Sequence, residues 1–154
     1  MPINKKNQKD EARAVLLRHL ELPKSTRAVV VTYIKNPEIL EFLTRACESI
    51  GVSLVTDHQE MVLSGADIWI SDYVDDSIPV EQLSKKRVVP VVPVAEKYKD
   101  TFSEFDPMKF TGNSFIFQEV NQFQMFEKLI RALENMRYAG DKRMLLENVE
   151  TIKL

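Results

Sequence analysis

Short apolar runs alternate along this chain with longer segments in which apolar side chains recur at helical spacing. The apolar runs have the length and β-branched character of strands that are buried on both faces, and they cover residues 28–33, 52–56, 67–71, 88–94 and 114–118. The longer segments place their apolar side chains three or four residues apart, which is typical of helices that cover a sheet. The pattern therefore predicts alternating strands and helices.

The helix signals are clearest after the first run. Asn36 is a favourable N-cap, Pro37 suits the first helical position, and Gly51 stands where a helix ends. A second helix is predicted over 123–138 and a short amphipathic one over 10–20, whereas 97–112 has weak periodicity and is expected to form an irregular helix.

Right-handed crossovers would wind such a chain into an α/β fold, a three-layer sandwich around a five-stranded parallel sheet. The expected strand order is the flavodoxin-like 2-1-3-4-5. We expect residues 1–26 to form an N-terminal extension with an extra helix, 27–138 the domain itself, and 139–154 a tail or linker.

Composition narrows the choice of function. The net charge of -2 gives no general attraction to nucleic acid or anionic lipid, so neither partner is expected, and no apolar run is long enough for a membrane span. With a polar N-terminus, the chain is expected to be cytoplasmic. The single cysteine, Cys47, is expected in the core. The basic run Lys85-Lys86-Arg87 is expected to be a solvated turn, although a local nucleic-acid contact is an alternative.

Phosphate-binding sites have little support. The chain has only four glycines, and none lies in the turn Tyr33-Ile34-Lys35-Asn36 that leads into the first helix of the predicted domain. Flavin, dinucleotide and P-loop sites use such glycines. We therefore expect no cofactor.

Three segments resemble the receiver domains of response regulators. They are Val29-Val-Val with Asn36-Pro-Glu-Ile, then Asp67-Ile-Trp-Ile-Ser-Asp72, and finally Val89-Pro-Val-Val followed by Ser114-Phe-Ile-Phe-Gln-Glu-Val-Asn and an amphipathic helix. The resemblance extends over residues 27–138. It implies that Asp72 corresponds to the aspartate that receivers phosphorylate.

The other residues that this resemblance would require are absent. The acidic pair that holds Mg²⁺ in receivers falls on Thr32, Tyr33, Ile34 and Lys35, the switching hydroxyl on Val94, and the phosphate-binding lysine on Gln118 or Glu119. Asp72 is thus expected to be an inactive strand-end residue that accepts backbone hydrogen bonds in the next loop. Asp75 and Asp76, in the next loop, are weak candidates for metal ligands, and otherwise no metal is expected.

The resemblance implies a pseudo-receiver, a phosphorylation-independent signalling domain that is not an enzyme. It would bind a protein partner in a two-component phosphorelay, such as a histidine kinase, another signalling domain or a second copy. An aromatic group is expected either to cap the core or to form the docking surface: Tyr98, Phe102, Phe105 and Phe110. The alternatives are an active receiver with Asp75 or Asp76 as metal ligands, and a small α/β enzyme of another family.

Overall fold

The computed structural model of the chain describes residues 4–57 and 59–152. The helices are α1 (Lys5–His19), α2 (Pro37–Glu48), α3 (Glu60–Gly65), α4 (Val80–Lys85), α5 (Gln122–Met136) and α6 (Ala139–Glu150). The strands are β1 (Ala28–Tyr33), β2 (Val52–Val55), β3 (Ile68–Ser71), β4 (Val89–Pro93) and β5 (Phe115–Phe117).

The five strands form one parallel sheet in the order β2-β1-β3-β4-β5. The predicted α/β sandwich and its strand order are confirmed. Helix α2 packs against α5, and α1 packs against α3. The sheet interior is almost entirely aliphatic and aromatic, and Trp69, Ile68 and Ile70 on β3 have no solvent exposure. Because the strands are parallel, all of them present their carboxyl ends at the same edge of the sheet, and this is where ligands bind in open parallel sheets.

Local sequence signals explain the predicted elements that the structure contains. The Asn36 side chain accepts hydrogen bonds from the backbone N–H groups of Glu38 and Ile39, which caps α2. Cys47, on the inner face of α2, is completely buried, and burial raises the pKa of its thiol to about 12. Strand β4 lies between β3 and β5 despite Pro90 and Pro93, as the apolar run predicts.

Three segments differ from expectation. Helix α1 begins at Lys5, earlier than Asp10. In 97–112, the predicted irregular helix is a 3₁₀ turn at Glu96–Tyr98 followed by a loop with isolated bridges. Residues 139–150, which lie in the expected tail, form α6 and bury Leu145, Leu146 and Val149. Helix α1 begins early because the Asn4 side chain accepts a hydrogen bond from the Lys6 N–H and caps it, whereas α6 is stabilised by the burial of its apolar side chains.

Among residues 4–57 and 59–152, no helix is both long enough and apolar enough to cross a membrane.

A buried carboxylate ties α1 to the sheet. Asp67, just before β3, accepts a hydrogen bond from the Arg13 guanidinium at 2.8 Å and another from the Val29 N–H at 2.9 Å. Its backbone donates to the Val29 carbonyl and accepts from the Val89 N–H. Arg13 also donates to the carbonyls of Thr26 and Arg27. One residue thus connects α1, β1 and β4.

Replacing Asp67 should test this connection. Asp67→Ala leaves the Arg13 guanidinium without its carboxylate and the Val29 N–H without its side-chain acceptor, so the free energy of unfolding should fall by about 3 kcal/mol. Urea unfolding followed by circular dichroism measures the change. Asp100→Ala, at an exposed position, is the control and should change stability by less than about 0.5 kcal/mol. A similar small loss for Asp67→Ala would contradict the assigned role.

Candidate functional site

The carboxyl edge of the sheet is the expected ligand site of this architecture, and Asp72 stands there at the end of β3. Its two carboxylate oxygens accept hydrogen bonds from the backbone N–H of Lys35 at 3.0 and 3.1 Å, and one oxygen accepts from the N–H of Asn36 at 3.0 Å. The side chain therefore joins β3 to the loop between β1 and α2. The sequence predicted that Asp72 accepts backbone hydrogen bonds in the loop that follows it, whereas these donors lie in the loop after β1.

The amino end of α2 is filled by internal acceptors. Asp72 takes the N–H groups of Lys35 and Asn36, the Asn36 side chain takes those of Glu38 and Ile39, and Pro37 has none. The next N–H, of Leu40, donates to the Asn36 carbonyl. A helix amino end binds phosphate through free N–H groups. Each N–H from Lys35 to Leu40 already has an acceptor within the protein.

Asp75 and Asp76, the two weak candidates for metal ligands, lie in the loop after β3, and each accepts hydrogen bonds from other side chains. Asp75 accepts hydrogen bonds from the Ser77 hydroxyl and N–H, which lower the pKa of its carboxyl group. Asp76 accepts hydrogen bonds from the Lys97 ammonium and the Tyr98 hydroxyl, both at 2.7 Å, and these lower the pKa of Asp76. Within the described part of the chain, no cluster of three or more His, Cys, Asp or Glu side chains could hold a metal ion.

The remaining predicted site residues also lie at this edge but do not converge on one point. Thr32 is buried near the end of β1, and Tyr33 packs edge to face against Trp69. The Lys35 ammonium sits 3.7 Å from the centre of the Tyr73 ring. Ile34 is partly buried, Val94 follows β4, and Gln118 and Glu119 follow β5. Glu119 donates its N–H to the Gln124 side chain at 3.0 Å.

The aromatic group after β4 divides into two. Tyr98, Phe102 and Phe105 are at most 7% exposed and belong to the core, whereas Phe110 is 66% exposed. Phe105 packs against Phe115 of β5, with ring centres 6.0 Å apart. Three of the four residues therefore cap the core, which is one of the two roles expected for them, and they offer no surface for docking.

A different set of apolar side chains is exposed at the carboxyl edge. Val94, Val120 and Phe123 are 54%, 50% and 68% exposed, and the Phe123 ring packs edge to face on Phe42 of α2, with centres 5.4 Å apart. We call these four residues the apolar edge cluster. Sequence analysis missed this cluster because its members come from three separate segments of the chain. The apolar Val120 and Phe123, flanking the N-cap Asn121, were the available signal.

No family model and no curated protein matches the chain. Among solved structures, the fold is similar to the catalytic domain of starch synthase IV from Arabidopsis thaliana, solved with ADP and acarbose. The TM-score is 0.69 and the identity 18%, and the match covers 98% of this chain but 41% of the starch synthase chain. At this identity the similarity concerns the fold alone.

This finding overturns the resemblance to receiver domains. The interpretation as a pseudo-receiver in a two-component phosphorelay was wrong, and so was the alternative of an active receiver, because the structural similarity is to a glycosyltransferase-type domain. The reason is physical: strands that alternate with helices, with an acid at a strand end, satisfy the packing rules of every doubly wound sheet. The quoted segments carried that general pattern rather than a family signature.

The role of Asp72 can be measured directly. Asp72→Ala should lower the free energy of unfolding by about 1 kcal/mol, as the loss of a capping side chain does, and should speed amide exchange at Lys35 and Asn36. Asp72→Asn keeps an acceptor oxygen and should have a smaller effect. Hydrogen exchange followed by NMR tests both variants. In Asp76→Ala, the control, exchange at those two amides should be unchanged, and an unchanged rate in Asp72→Ala would refute the assignment.

Proposed function

We propose that this chain is a non-catalytic domain of Rossmann-like, glycosyltransferase-type fold that binds a protein partner at the carboxyl edge of its sheet. The observation that carries the proposal is the internal use of every backbone N–H at the amino end of α2. A phosphate group at that helix would have to displace Asp72 or Asn36.

The charges at the same edge support a non-catalytic role. Asp72 and Asp75 both lie in the loop that follows β3, and Glu119 lies just after β5. Lys35 is 3.9 Å from the Asp75 carboxylate, and Lys97 is paired with Asp76. These two cations are therefore partly neutralised. A nucleoside diphosphate would meet carboxylates where it needs unpaired cations and N–H donors.

The apolar edge cluster is the surface that we propose for protein binding. Exposed aromatic side chains that pack on one another lose little conformational entropy on binding, and they are enriched in protein interfaces. Phe42 also contacts Phe126 of α5, with ring centres 6.3 Å apart, so the cluster is anchored to the domain through α2 and α5. We place the partner on the surface formed by Val94, Val120 and Phe123.

A second candidate is an enzyme that uses a nucleoside-diphosphate sugar. The observation that favours it is the fold similarity to a starch synthase domain that was solved with ADP and acarbose. Because the chain spans 41% of that protein's chain, this candidate also requires that the rest of an active site come from outside the described residues.

Nucleotide binding distinguishes the two candidates. ADP titrated into the ¹⁵N-labelled protein should leave the amide signals of residues 33–40 and 72–78 unshifted up to millimolar concentration, because the N–H donors at the amino end of α2 are already used. The positive control for the assay is a starch synthase domain that binds ADP. Saturable shifts at the carboxyl edge would overturn the non-catalytic assignment and favour the enzyme.

Protein binding can be tested with a photo-crosslinking amino acid at Phe123. Irradiation in cells should give a discrete protein adduct from position 123. Unmodified protein in excess should suppress it, whereas excess Phe123→Asp should not. The matched control is the same label at Phe110, which is equally exposed but lies in the loop before β5. Identical adducts at both positions, or no adduct at 123, would contradict the proposed docking surface.

A further inference from the structure

A cavity lies among helices α1, α5 and α6 and the turn that precedes β4. Its volume is about 750 Å³, which falls within the range of small-molecule sites. Cationic side chains dominate its lining: Lys6, Lys9, Arg87, Arg137, Lys142 and Arg143. Asp10 is the acidic residue of the lining. The chain as a whole is slightly acidic, so this concentration of positive charge is local. We refer to it as the basic cleft.

Most of these cations lack a carboxylate partner. Arg137 pairs with Glu134 at 3.2 Å, and the Arg87 Nε lies 3.3 Å from Glu150. Lys6, Lys9, Lys142 and Arg143, by contrast, form no ion pair with any carboxylate in 4–57 or 59–152. Clustered cations without counter-charges repel one another, and a bound anion would relieve that repulsion.

Lys9 is the cleft cation whose charge is least stabilised by its surroundings. Its ammonium donates to the Lys86 carbonyl at 2.6 Å and is partly buried. Burial is the main cause that lowers the pKa of Lys9 to about 8; the Asp67 carboxylate opposes it, and the smaller effects of Arg87, Lys142 and Arg13 add to the lowering. Asp67 is also bonded to Arg13 and to the Val29 N–H, so its charge is shared between these groups and Lys9.

Arg87 is partly buried and lines the cleft. The sequence predicted a solvated turn at Lys85-Lys86-Arg87, but the Arg87 side chain is only 15% exposed. Its Nε atom is inaccessible and makes no hydrogen bond of good geometry in the described structure. Its backbone has a positive φ of 56°, a conformation that is unfavourable for a residue with a side chain.

The amino end of α6 opens into the same cleft. Its N-cap, Tyr138, makes no side-chain hydrogen bond to the helix, and the backbone N–H groups of Ala139, Gly140 and Asp141 have no acceptor within the described residues. A Cβ built on Gly140 would meet no atom within 4 Å, so the backbone there is open to a ligand. Free N–H groups and the helix dipole add to the field of the cationic side chains.

We infer that the basic cleft binds a small ligand that carries one or more phosphate groups. The ligand would lie between α1 and the amino end of α6, with its phosphate near Lys9, Lys142 and the Gly140 N–H. The concave shape favours a small molecule over a nucleic-acid strand, because the neighbouring cations beyond the cleft, Lys5, Lys85 and Lys86, are each paired with a glutamate. The cleft involves none of the residues of the carboxyl edge, so this inference does not depend on the proposed function.

Pyrophosphate is a suitable probe because it carries the required charge without any particular organic group. Titration into the ¹⁵N-labelled protein at about 0.15 M salt, where exposed charges are screened beyond about 8 Å, should give saturable shifts at the amides of Gly140 and Asp141. Isothermal calorimetry then gives the affinity. Sulfate at equal ionic strength should compete more weakly.

The double variant Lys142→Gln/Arg143→Gln should weaken pyrophosphate binding by at least about tenfold, because each lost charge-assisted hydrogen bond has a cost of that order. Lys24→Gln/Lys109→Gln removes the same charge from exposed positions outside the cleft and should leave the affinity unchanged. Thermal unfolding of each variant shows whether it is folded, and Lys9→Gln provides a second test of the cleft.

Three results would overturn the inference. They are the absence of saturable binding at millimolar pyrophosphate, equal weakening by the cleft and control variants, and equal binding of sulfate. A short single-stranded oligonucleotide that binds more tightly than pyrophosphate and shifts residues well beyond the cleft would also overturn it, in favour of a nucleic-acid surface.

Discussion

The hydrogen bonds of the Asp67 carboxylate connect helix α1 to the parallel sheet. A parallel sheet of five short strands needs both faces covered, and α1 lies outside the regular alternation of strand and helix. The Arg13–Asp67 ion pair holds α1 where it covers α3, and the same carboxylate accepts the Val29 N–H of β1. The packing is close: a Cβ on Gly65 would lie 2.7 Å from the Ala12 carbonyl and from Leu16. The ion pair therefore acts together with this tight contact and with the Arg13 bonds to the Thr26 and Arg27 carbonyls.

The placement of α1 also determines the chemistry of the sheet's two edges. Because α1 is fixed at the amino edge, Lys6 and Lys9 are brought to Arg87, which precedes β4, and to α6. The carboxyl edge has the opposite character. There, short side chains such as Asp72 and Asn36 accept the backbone donors of the α2 amino end, and the exposed cations Lys35 and Lys97 each lie beside a carboxylate. The usual ligand edge of a parallel sheet is thus internally satisfied, while its opposite edge keeps unpaired cations.

The parts of this structure that could be predicted from the sequence are those with local causes. The β-branched runs predicted the strands, Asn36 with Pro37 predicted the start of α2, and the common flavodoxin-like arrangement supplied the strand order. The position of Asp72 at the end of a strand was also predicted. What could not be predicted depends on contacts between residues far apart in the sequence. Arg13 and Asp67 are 54 residues apart, and Phe42 of α2 packs against Phe123 of α5. The receiver interpretation failed for a related reason, since a shared pattern of elements specifies a fold and leaves function to individual sites.

Arg87, which lines the cleft at the amino edge of the sheet, has a strained backbone. Three residues other than glycine have positive φ among the described residues, namely Glu21, Arg87 and Phe110. Glu21 and Phe110 are exposed, so a loop can adopt their conformation at no cost to the core. The Arg87 side chain is directed inward, beside Lys9 and Glu150. A glycine would adopt this backbone without strain, whereas for other residues the positive φ costs about 1 kcal/mol. The arginine therefore accepts both backbone strain and the repulsion of neighbouring cations, and a bound anion would offset the second of these costs.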